Sequence, residues 1–270
     1  MSIDLNAIKE CCQKHWDLGY RDGVCRYFVK MSDDVAVKIG TFSDVHEFTI
    51  EYEWLKYLAP RVDPTKAMVP MPLCPLVKHG RLTLLVMQYV PGRTIQQNLD
   101  DGLGFSVKDA LRVCDAYLSL RAIKPKGDEL YPAGPWPLRG HIFQPDSEGG
   151  LNMKSRSDFQ SYMNDRLTRA HNRSTTIPEC EVVLSHGDLS PKNVMFMPDG
   201  RVGFLGLVNA VWGPAYWEHF ALFASHYALS FTRPMQEALD RRGLGIDPET
   251  HLKLWKLMVW HGTRGPGLAR

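Results

Sequence analysis

The stretch that decides the fold is Leu184–Asn193, which reads LSHGDLSPKN. A β-branched run precedes it, so we expect a strand to lead into a His-x-Asp turn, with Asn193 five residues after Asp188. Phosphoryl transfer to a hydroxyl uses a carboxylate that accepts the hydroxyl proton and, a few residues later, an amide oxygen that binds Mg²⁺. The pattern predicts Asp188 as the base, Asn193 as a metal ligand and His186 as a support of the loop. The alternative is a polar turn that these side chains only cap.

A lysine earlier in the chain fits the same chemistry. Val35–Lys38 is typical of a strand whose lysine contacts nucleotide phosphates and is held by a helix glutamate. Glu51 is the expected partner of Lys38, with Glu47 and Glu53 as alternatives. An ordinary surface lysine–glutamate pair is the other interpretation of these residues.

Hydrophobic patterning divides the chain into two parts. Residues 1–90 predict a β-rich N-terminal lobe with a leading helix over 1–18, and residues 91–270 predict a larger, mainly helical lobe. Within the second lobe we expect a strand over 202–208 and helices over 215–229 and 251–260. The loop before Tyr27 contains Gly19 and Gly23 but no G-x-G-x-x-G, so it supports a phosphate loop only weakly.

In combination, these motifs resemble the aminoglycoside-phosphotransferase-like kinases, particularly their fungal members. The resemblance spans roughly residues 24–230. The matching segments, in chain order, are Val35–Gly40, Glu51–Leu55, Val69–Pro72, Val86–Gly92, Gly140–Phe143, His186–Asn193 and Pro214–Glu218.

The resemblance implies an α+β, two-lobed protein-kinase-like fold, with a small antiparallel N-lobe carrying one helix and a larger helical C-lobe. It also implies that ATP binds at the hinge, where backbone groups of Gln88 and Val90 meet adenine and Met87 backs the pocket. Lys38 and Glu51 belong to the same nucleotide site. ATP and Mg²⁺ are expected as cofactors only if phosphotransferase activity is retained.

One position departs sharply from the family pattern. The family usually places a metal-binding aspartate about a dozen residues after the loop asparagine, in a strand reading roughly Gly-Ile-Ile-Asp-Trp-Glu. Here Gly206 stands at the aspartate position, Leu207 replaces the aromatic residue and Val208 replaces the second acid. Because glycine has no side-chain ligand, Asn193 alone predicts a poor Mg²⁺ site. Asn209 is a candidate substitute, but on a strand it faces away from Gly206.

Two further groups of residues have competing interpretations. Trp212, Tyr216 and Trp217 are candidates for a substrate pocket or, equally, for core packing. Glu218-His219 together with His226 suggests a metal site, yet this helical spacing supplies at most two ligands, so a helix surface and core pattern is favoured.

Composition limits the class of partner. The chain has 270 residues, with 32 Lys+Arg against 30 Asp+Glu, so no nucleic acid or anionic membrane is expected as the main partner. No apolar run approaches membrane-spanning length, no signal sequence is visible and no cysteine pair has C-x-x-C spacing. We expect a cytoplasmic protein whose partner is a small molecule.

Three functional hypotheses follow. The first is an enzyme of small-molecule, possibly secondary, metabolism that has lost its metal-binding aspartate. In this hypothesis Asp188 and His186 act as an acid/base pair and Lys38 as a polarising cation, in reactions such as cyclisation or isomerisation. The second is an ATP-dependent small-molecule O-phosphotransferase. The third is a non-catalytic ligand-binding pseudokinase.

Overall fold

The structure is a computed structural model. It describes residues 3–19, 27–125, 127, 129–132, 155–171, 173–177, 180–224 and 227–263. Within these ranges, α-helices and antiparallel sheets form the expected mixed α+β fold. The predicted motif segment Gly140–Phe143, Gly23 and His226 lie outside the described residues.

The N-terminal part is a four-stranded sheet with a helix on each face. Its elements are α1 (Leu5–Gly19), β1 (Tyr27–Lys30), β2 (Val35–Thr41), α2 (Val45–Leu58), β4 (Val77–His79) and β5 (Leu82–Gln88), with the short strand β3 (Ala67–Met68) between α2 and β4. The sheet order is β1-β2-β5-β4 and every pairing is antiparallel.

Alternation along β5 explains why both faces of the sheet are covered. Leu82, Leu84 and Val86 join the apolar cluster that contains Trp16 of α1. Leu85 and Met87 join the main core, together with side chains of α2. Since successive strand residues point to opposite faces, a continuous apolar strand needs a helix on each side, and α1 and α2 provide them.

The C-terminal part contains most of the helices. Its elements are β6 (Arg93–Thr94), α3 (Ile95–Asp100), α4 (Val107–Arg121), α5 (Arg156–His171), β7 (Val182–Ser185), β8 (Val194–Phe196), β9 (Val202–Phe204), β10 (Val211–Pro214), α6 (Trp217–Ala224), α7 (Leu229–Arg241) and α8 (Pro248–Thr263). Helix α4 begins where it does because the Ser106 side chain accepts from the Asp109 amide and Asp109 caps Ser106 in return. Helix α7 packs on α4, and α8 packs on α5.

Two small sheets carry the segments around the loop 186–193. β10 pairs with β7, and a second sheet has the order β3-β9-β8-β6. Since β3 pairs in parallel with β9, the segment 67–68 joins the C-terminal sheet. The main core likewise includes α2 side chains beside C-terminal helices. A boundary between residues 90 and 91 stays a prediction.

Three secondary-structure expectations were wrong. The strand expected over 202–208 ends at Phe204 and is followed by a 3₁₀ turn at Leu207–Asn209. The helix expected from 215 begins at Trp217, because β10 extends to Pro214. Helix α7 was not predicted at all, since Pro234 lies inside it and proline normally argues against a helix interior. Among the described residues, no helix combines the length and apolar character needed to cross a membrane.

Candidate active site

The loop between β7 and β8 is fixed against the 3₁₀ turn at Leu207–Asn209. Gly187 has φ +74°, and a Cβ atom at this residue would lie 2.3 Å from the backbone oxygen of Asn209. Only glycine tolerates both the positive φ and this close approach. The loop therefore holds Asp188 at a set distance from the chain that follows β9.

Asp188 accepts hydrogen bonds on both carboxylate oxygens. Nδ2 of Asn193 donates to Oδ2 of Asp188 at 2.9 Å and to its backbone oxygen at 3.0 Å. The hydroxyl of Tyr227 donates to Oδ1. The motif predicted that Asp188 and Asn193 lie close together, as they do, but it gave no indication of Tyr227.

His186 supports the loop through both nitrogens of its ring. Its ring is buried, and Nε2 lies 2.8 Å from the backbone oxygen of Leu205. Since a carbonyl oxygen only accepts, Nε2 carries the proton, and Nδ1 accepts from the Asp188 amide at 3.3 Å. The supporting role predicted for His186 agrees with these contacts. Both ring nitrogens are bonded to the backbone, and its role as the acid/base partner of Asp188 stays a prediction.

Glu218 anchors the same loop from α6. Its Oε2 accepts from the amides of His186 at 2.5 Å and Gly187 at 2.9 Å, and from the hydroxyl of Tyr117 at 3.2 Å. Burial raises the pKa of the Glu218 carboxyl, against the lowering effects of nearby His186 and of these donors. Within the described residues, Oε1 has no hydrogen-bond partner. Sequence reasoning considered Glu218 only as a metal ligand, although an acid in an apolar helix signals a buried anchoring role.

The predicted lysine–glutamate pair is present in the N-terminal sheet. Nζ of Lys38 lies 2.6 Å from Oε2 of Glu51, which is almost fully buried on α2. Of the three glutamates left open by the sequence, Glu51 holds the lysine. Lys38 and Phe28 are directly opposite on β2 and β1, and therefore lie on the same sheet face.

The position expected to bind metal is closed by Asn193. Gly206 has φ +70°, and a Cβ atom there would lie 2.5 Å from Oδ1 and 2.7 Å from Cγ of Asn193. The expectation that Asn209 faces away from Gly206 along a strand was wrong. Asn209 belongs to the 3₁₀ turn, and its backbone approaches Gly187. The amide of Asn193 therefore occupies the space into which an acidic side chain at position 206 would extend.

A cavity of about 520 Å³ opens beside Asp188. This volume is typical of small-molecule sites. Its lining combines apolar surface with polar side chains, which include Gln96, Asp100, Asp188, Ser190, Lys192 and Tyr227. Asp188 and Tyr227 thus meet in a space large enough for a metabolite.

The model of the phosphotransferase enzyme family matches residues 26–251. The chain belongs to this family. The match extends from the strand of Lys38 through the loop of Asp188 to α8, so it covers the whole site described above. The family identified from the sequence motifs is confirmed.

Solved phosphotransferase-family structures share the fold. A thermostable mutant of aminoglycoside phosphotransferase APH(4)-Ia, in a ternary complex with AMP-PNP and hygromycin B, is 13% identical, with a TM-score of 0.55 over 91% of this chain and 88% of that one. The GDP and kanamycin complex of APH(2")-IIia is 16% identical, with a TM-score of 0.54 over 93% and 89%. At such identities the likeness shows the kinase-like fold alone. A search of curated proteins finds no match.

The residues of this phosphotransferase-family chain do not fit the family's magnesium. Kinase-type sites hold the metal with the loop asparagine and an aspartate that follows it. Here the asparagine Oδ1 faces Gly206 at the closed position. Among the described residues, no group of three or more His, Cys, Asp or Glu side chains is arranged to hold a metal ion. Mg²⁺ at kinase sites takes one or two protein carboxylates in addition to water and phosphate oxygens, and Gly206 supplies no carboxylate where the family pattern has one.

The nucleotide side of the site contains the Lys38–Glu51 pair, which suits a phosphate group. Helix α1 packs on the sheet face opposite Lys38 and ends at Gly19. A phosphate-binding loop ahead of β1 falls in residues 20–26, which lie outside the described residues.

At the hinge, the Gln88 amide donates to the Met71 oxygen at 2.8 Å, so it is already engaged. Met87 and Val90 are buried, Val90 in a small cluster with Met195 and Met197. An adenine-binding role for Met87, Gln88 and Val90 stays a prediction.

The predicted aromatic pocket residues lie mostly in the core. Trp212 is fully buried, with its ring 4.9 Å from that of Trp54. Trp217 is 4% exposed and packs on Phe159 at 5.8 Å. Tyr216 is mostly buried, and burial raises the pKa of its hydroxyl. Trp212 also lines a separate cavity of about 460 Å³. A substrate-binding role for the three residues stays a prediction.

Proposed function

We propose that this protein is an enzyme of small-molecule metabolism whose Asp188 performs metal-independent acid/base chemistry. One observation carries the proposal: Asp188 lines a metabolite-sized cavity, while the neighbouring metal position is a glycine closed by Asn193. The proposal places the reaction in secondary metabolism and in the cytoplasm. Cyclisation and isomerisation are the reaction types that such a base suits.

The lost carboxylate argues against efficient phosphoryl transfer. Preorganised electrostatic stabilisation of a transition state is worth about 3–4 kcal/mol for a single group. Since about 1.4 kcal/mol corresponds to a tenfold change in rate, the loss lowers phosphoryl transfer by about two to three orders of magnitude. A base that takes a proton from carbon or oxygen needs no such metal.

Asp188 keeps the capacity to act as a base. An ionised carboxylate has about four lone-pair sites, and Asn193 and Tyr227 use one on each oxygen. The two donors fix the orientation of the carboxylate, which is what a general base requires. The proposal gives Lys38, which is paired with Glu51, the role of the polarising cation.

A second candidate is an ATP-dependent small-molecule O-phosphotransferase. The intact Lys38–Glu51 pair favours it, because that pair has no evident purpose in a cleft without phosphate. Calorimetric titration with AMP-PNP, with and without Mg²⁺, separates the candidates. We expect no Mg²⁺-enhanced binding and no ATP-dependent phosphorylation of kanamycin or hygromycin B. Tight Mg²⁺-dependent binding together with phosphorylation would favour the second candidate.

A direct test uses a small-molecule extract of cells that express the protein. The extract is incubated with the protein in D₂O and analysed by mass spectrometry. We expect at least one compound to change mass or retention time with the wild type and not with Asp188→Asn. Asp199→Asn is the matched control, since Asp199 lies in an exposed turn and contacts Arg201. If Asp188→Asn converts the compound as the wild type does, Asp188 is not the base and the proposal fails. If no compound changes even with the wild type, the proposal also fails and a ligand-binding pseudokinase is favoured.

A further inference from the structure

Tyr227 contacts the proposed base from a segment that no motif covers. It lies just before α7, donates its hydroxyl hydrogen bond to Oδ1 of Asp188 and lines the same cavity of about 520 Å³. Its ring meets the buried Phe231 ring edge-on at 6.1 Å, which fixes its direction. The phenol of Tyr227 and the carboxylate of Asp188 are therefore bonded to each other in the wall of the same cavity.

The other groups bonded to Asp188 are unsuited to donate a proton to a substrate. The side-chain amide of Asn193 does not gain or lose a proton at any pH at which the protein is folded. His186 contacts the Asp188 backbone, and both of its ring nitrogens are bonded. Tyr227 has a transferable proton, a hydrogen bond to the carboxylate and a place in the cavity wall.

We propose that Tyr227 is the acid that pairs with Asp188, and that the two residues interconvert the keto and enol forms of a small hydroxylated carbonyl compound. This rests on the proposed function. The polar side chains that line the cavity, which include Gln96, Ser190 and Ser230, supply partners for the hydroxyl groups of such a compound.

All protons that move in this reaction pass between the substrate, Asp188 and Tyr227. Asp188 takes a proton from the carbon next to the carbonyl, so that a C–H bond breaks and a carboxyl O–H forms. The released electron pair moves to the carbonyl oxygen, which takes the phenol proton of Tyr227. The protonated Asp188 then returns its proton to the tyrosinate through their hydrogen bond. The product is the enol, both residues regain their starting forms, and no oxidant or further reactant is needed.

The first experiment tests the pair without any substrate. The hydroxyl protons of tyrosine-labelled protein are observed by NMR in the wild type, Tyr227→Phe, Asp188→Asn and the control Tyr52→Phe. Besides the hydroxyl resonance of buried Tyr117, we expect a second slowly exchanging low-field resonance that persists in Tyr52→Phe, disappears in Tyr227→Phe and moves upfield in Asp188→Asn. Absence of this second resonance from the wild type would overturn the pairing, whatever the protein catalyses.

The second experiment measures the role of Tyr227 in turnover. The compound converted in the extract assay is isolated, and its deuterium incorporation is followed against concentration and pH. We expect Tyr227→Phe to lower kcat by about 100-fold, to change KM by less than about threefold and to remove the decline of the rate at high pH. Loss with Asp188→Asn alone would refute the dyad and leave the proposed function intact. No Asp188-dependent conversion would refute both.

Discussion

The N-terminal and C-terminal parts of the site differ in how closely they follow the family pattern. On the N-terminal side, Lys38 still meets Glu51 at 2.6 Å, as in a working kinase site. On the C-terminal side, the acid expected after β9 is Gly206, and Asn193 fills the space beside it. The lysine–glutamate pair of the family pattern is therefore present, whereas the acid of that pattern is replaced by glycine. The proposed metal-independent chemistry at Asp188 rests on this contrast.

Substitutions of Asp188 and of Lys38 should lower the conversion rate to very different extents. Asp188→Asn should lower conversion of the extract compound by about 10³-fold, in the range found for loss of a general base. Lys38→Met should lower it by only about tenfold, because no phosphate has to be held. Steady-state rates of the two variants check this. Equal losses would mean that the N-terminal side still performs phosphate chemistry.

The next effect concerns the closed metal position. Gly206→Asp should destabilise the fold by about 3 kcal/mol, since it combines a left-handed backbone with a clash against Asn193. Gly200→Asp is the matched control, because Gly200 has φ +89° and open space around its Cβ position, so it should cost only about 1 kcal/mol. Urea denaturation measures both.

The same variant tests the metal prediction. We expect no Mg²⁺-dependent AMP-PNP binding by Gly206→Asp, because the Asn193 amide has to move before a carboxylate fits. Equal destabilisation by the two variants, or metal-dependent binding after the single change, would contradict the closed position.

A smaller effect is expected on the preserved side. Glu51→Gln removes the charged partner of a largely buried lysine and should destabilise the fold by about 2 kcal/mol. Glu53→Gln, on the same helix, should change stability by less than about 0.5 kcal/mol. Thermal unfolding of the two variants measures both effects. Similar losses of stability in Glu51→Gln and Glu53→Gln would contradict a specific ion pair between Lys38 and Glu51.

The smallest effect is a pH dependence at Glu218. Burial raises the pKa of this carboxyl in the folded state, so the folded protein holds a proton that the unfolded chain releases. Stability from this group is present below the usual glutamate pKa of about 4.3 and is lost as pH rises through the folded value. Glu218→Gln should therefore weaken the fall in unfolding free energy that begins as the pH rises above about 4.3. An unchanged slope would contradict the buried carboxyl.

The sequence predicted the parts of the site that a local pattern specifies. The His186–Asn193 motif placed Asp188 beside Asn193, and helical periodicity placed Glu51 on a helix against Lys38. Gly206 could be recognised because the family pattern places an aspartate about a dozen residues after the loop asparagine. These features depend on neighbours in the chain or on well-known spacing.

Contacts between distant segments could not be predicted in this way. Tyr227 lies 39 positions from Asp188, and Glu218 lies 32 positions from His186, so no local pattern joins them. Helix α7, which follows Tyr227, was not predicted, and it contains Pro234, a residue disfavoured in helix interiors. The contact between the His186 ring and the backbone oxygen of Leu205 likewise joins separate segments, and no local pattern indicates it.

The central claim is metal-independent chemistry at Asp188, and one measurement tests it most directly. The conversion of the extract compound is followed in EDTA without nucleotide and compared with conversion in Mg²⁺ and ATP. The account predicts equal rates in both conditions for the wild type and no conversion by Asp188→Asn. Conversion that occurs only with Mg²⁺ and ATP, with a mass gain of one phosphoryl group, would contradict it.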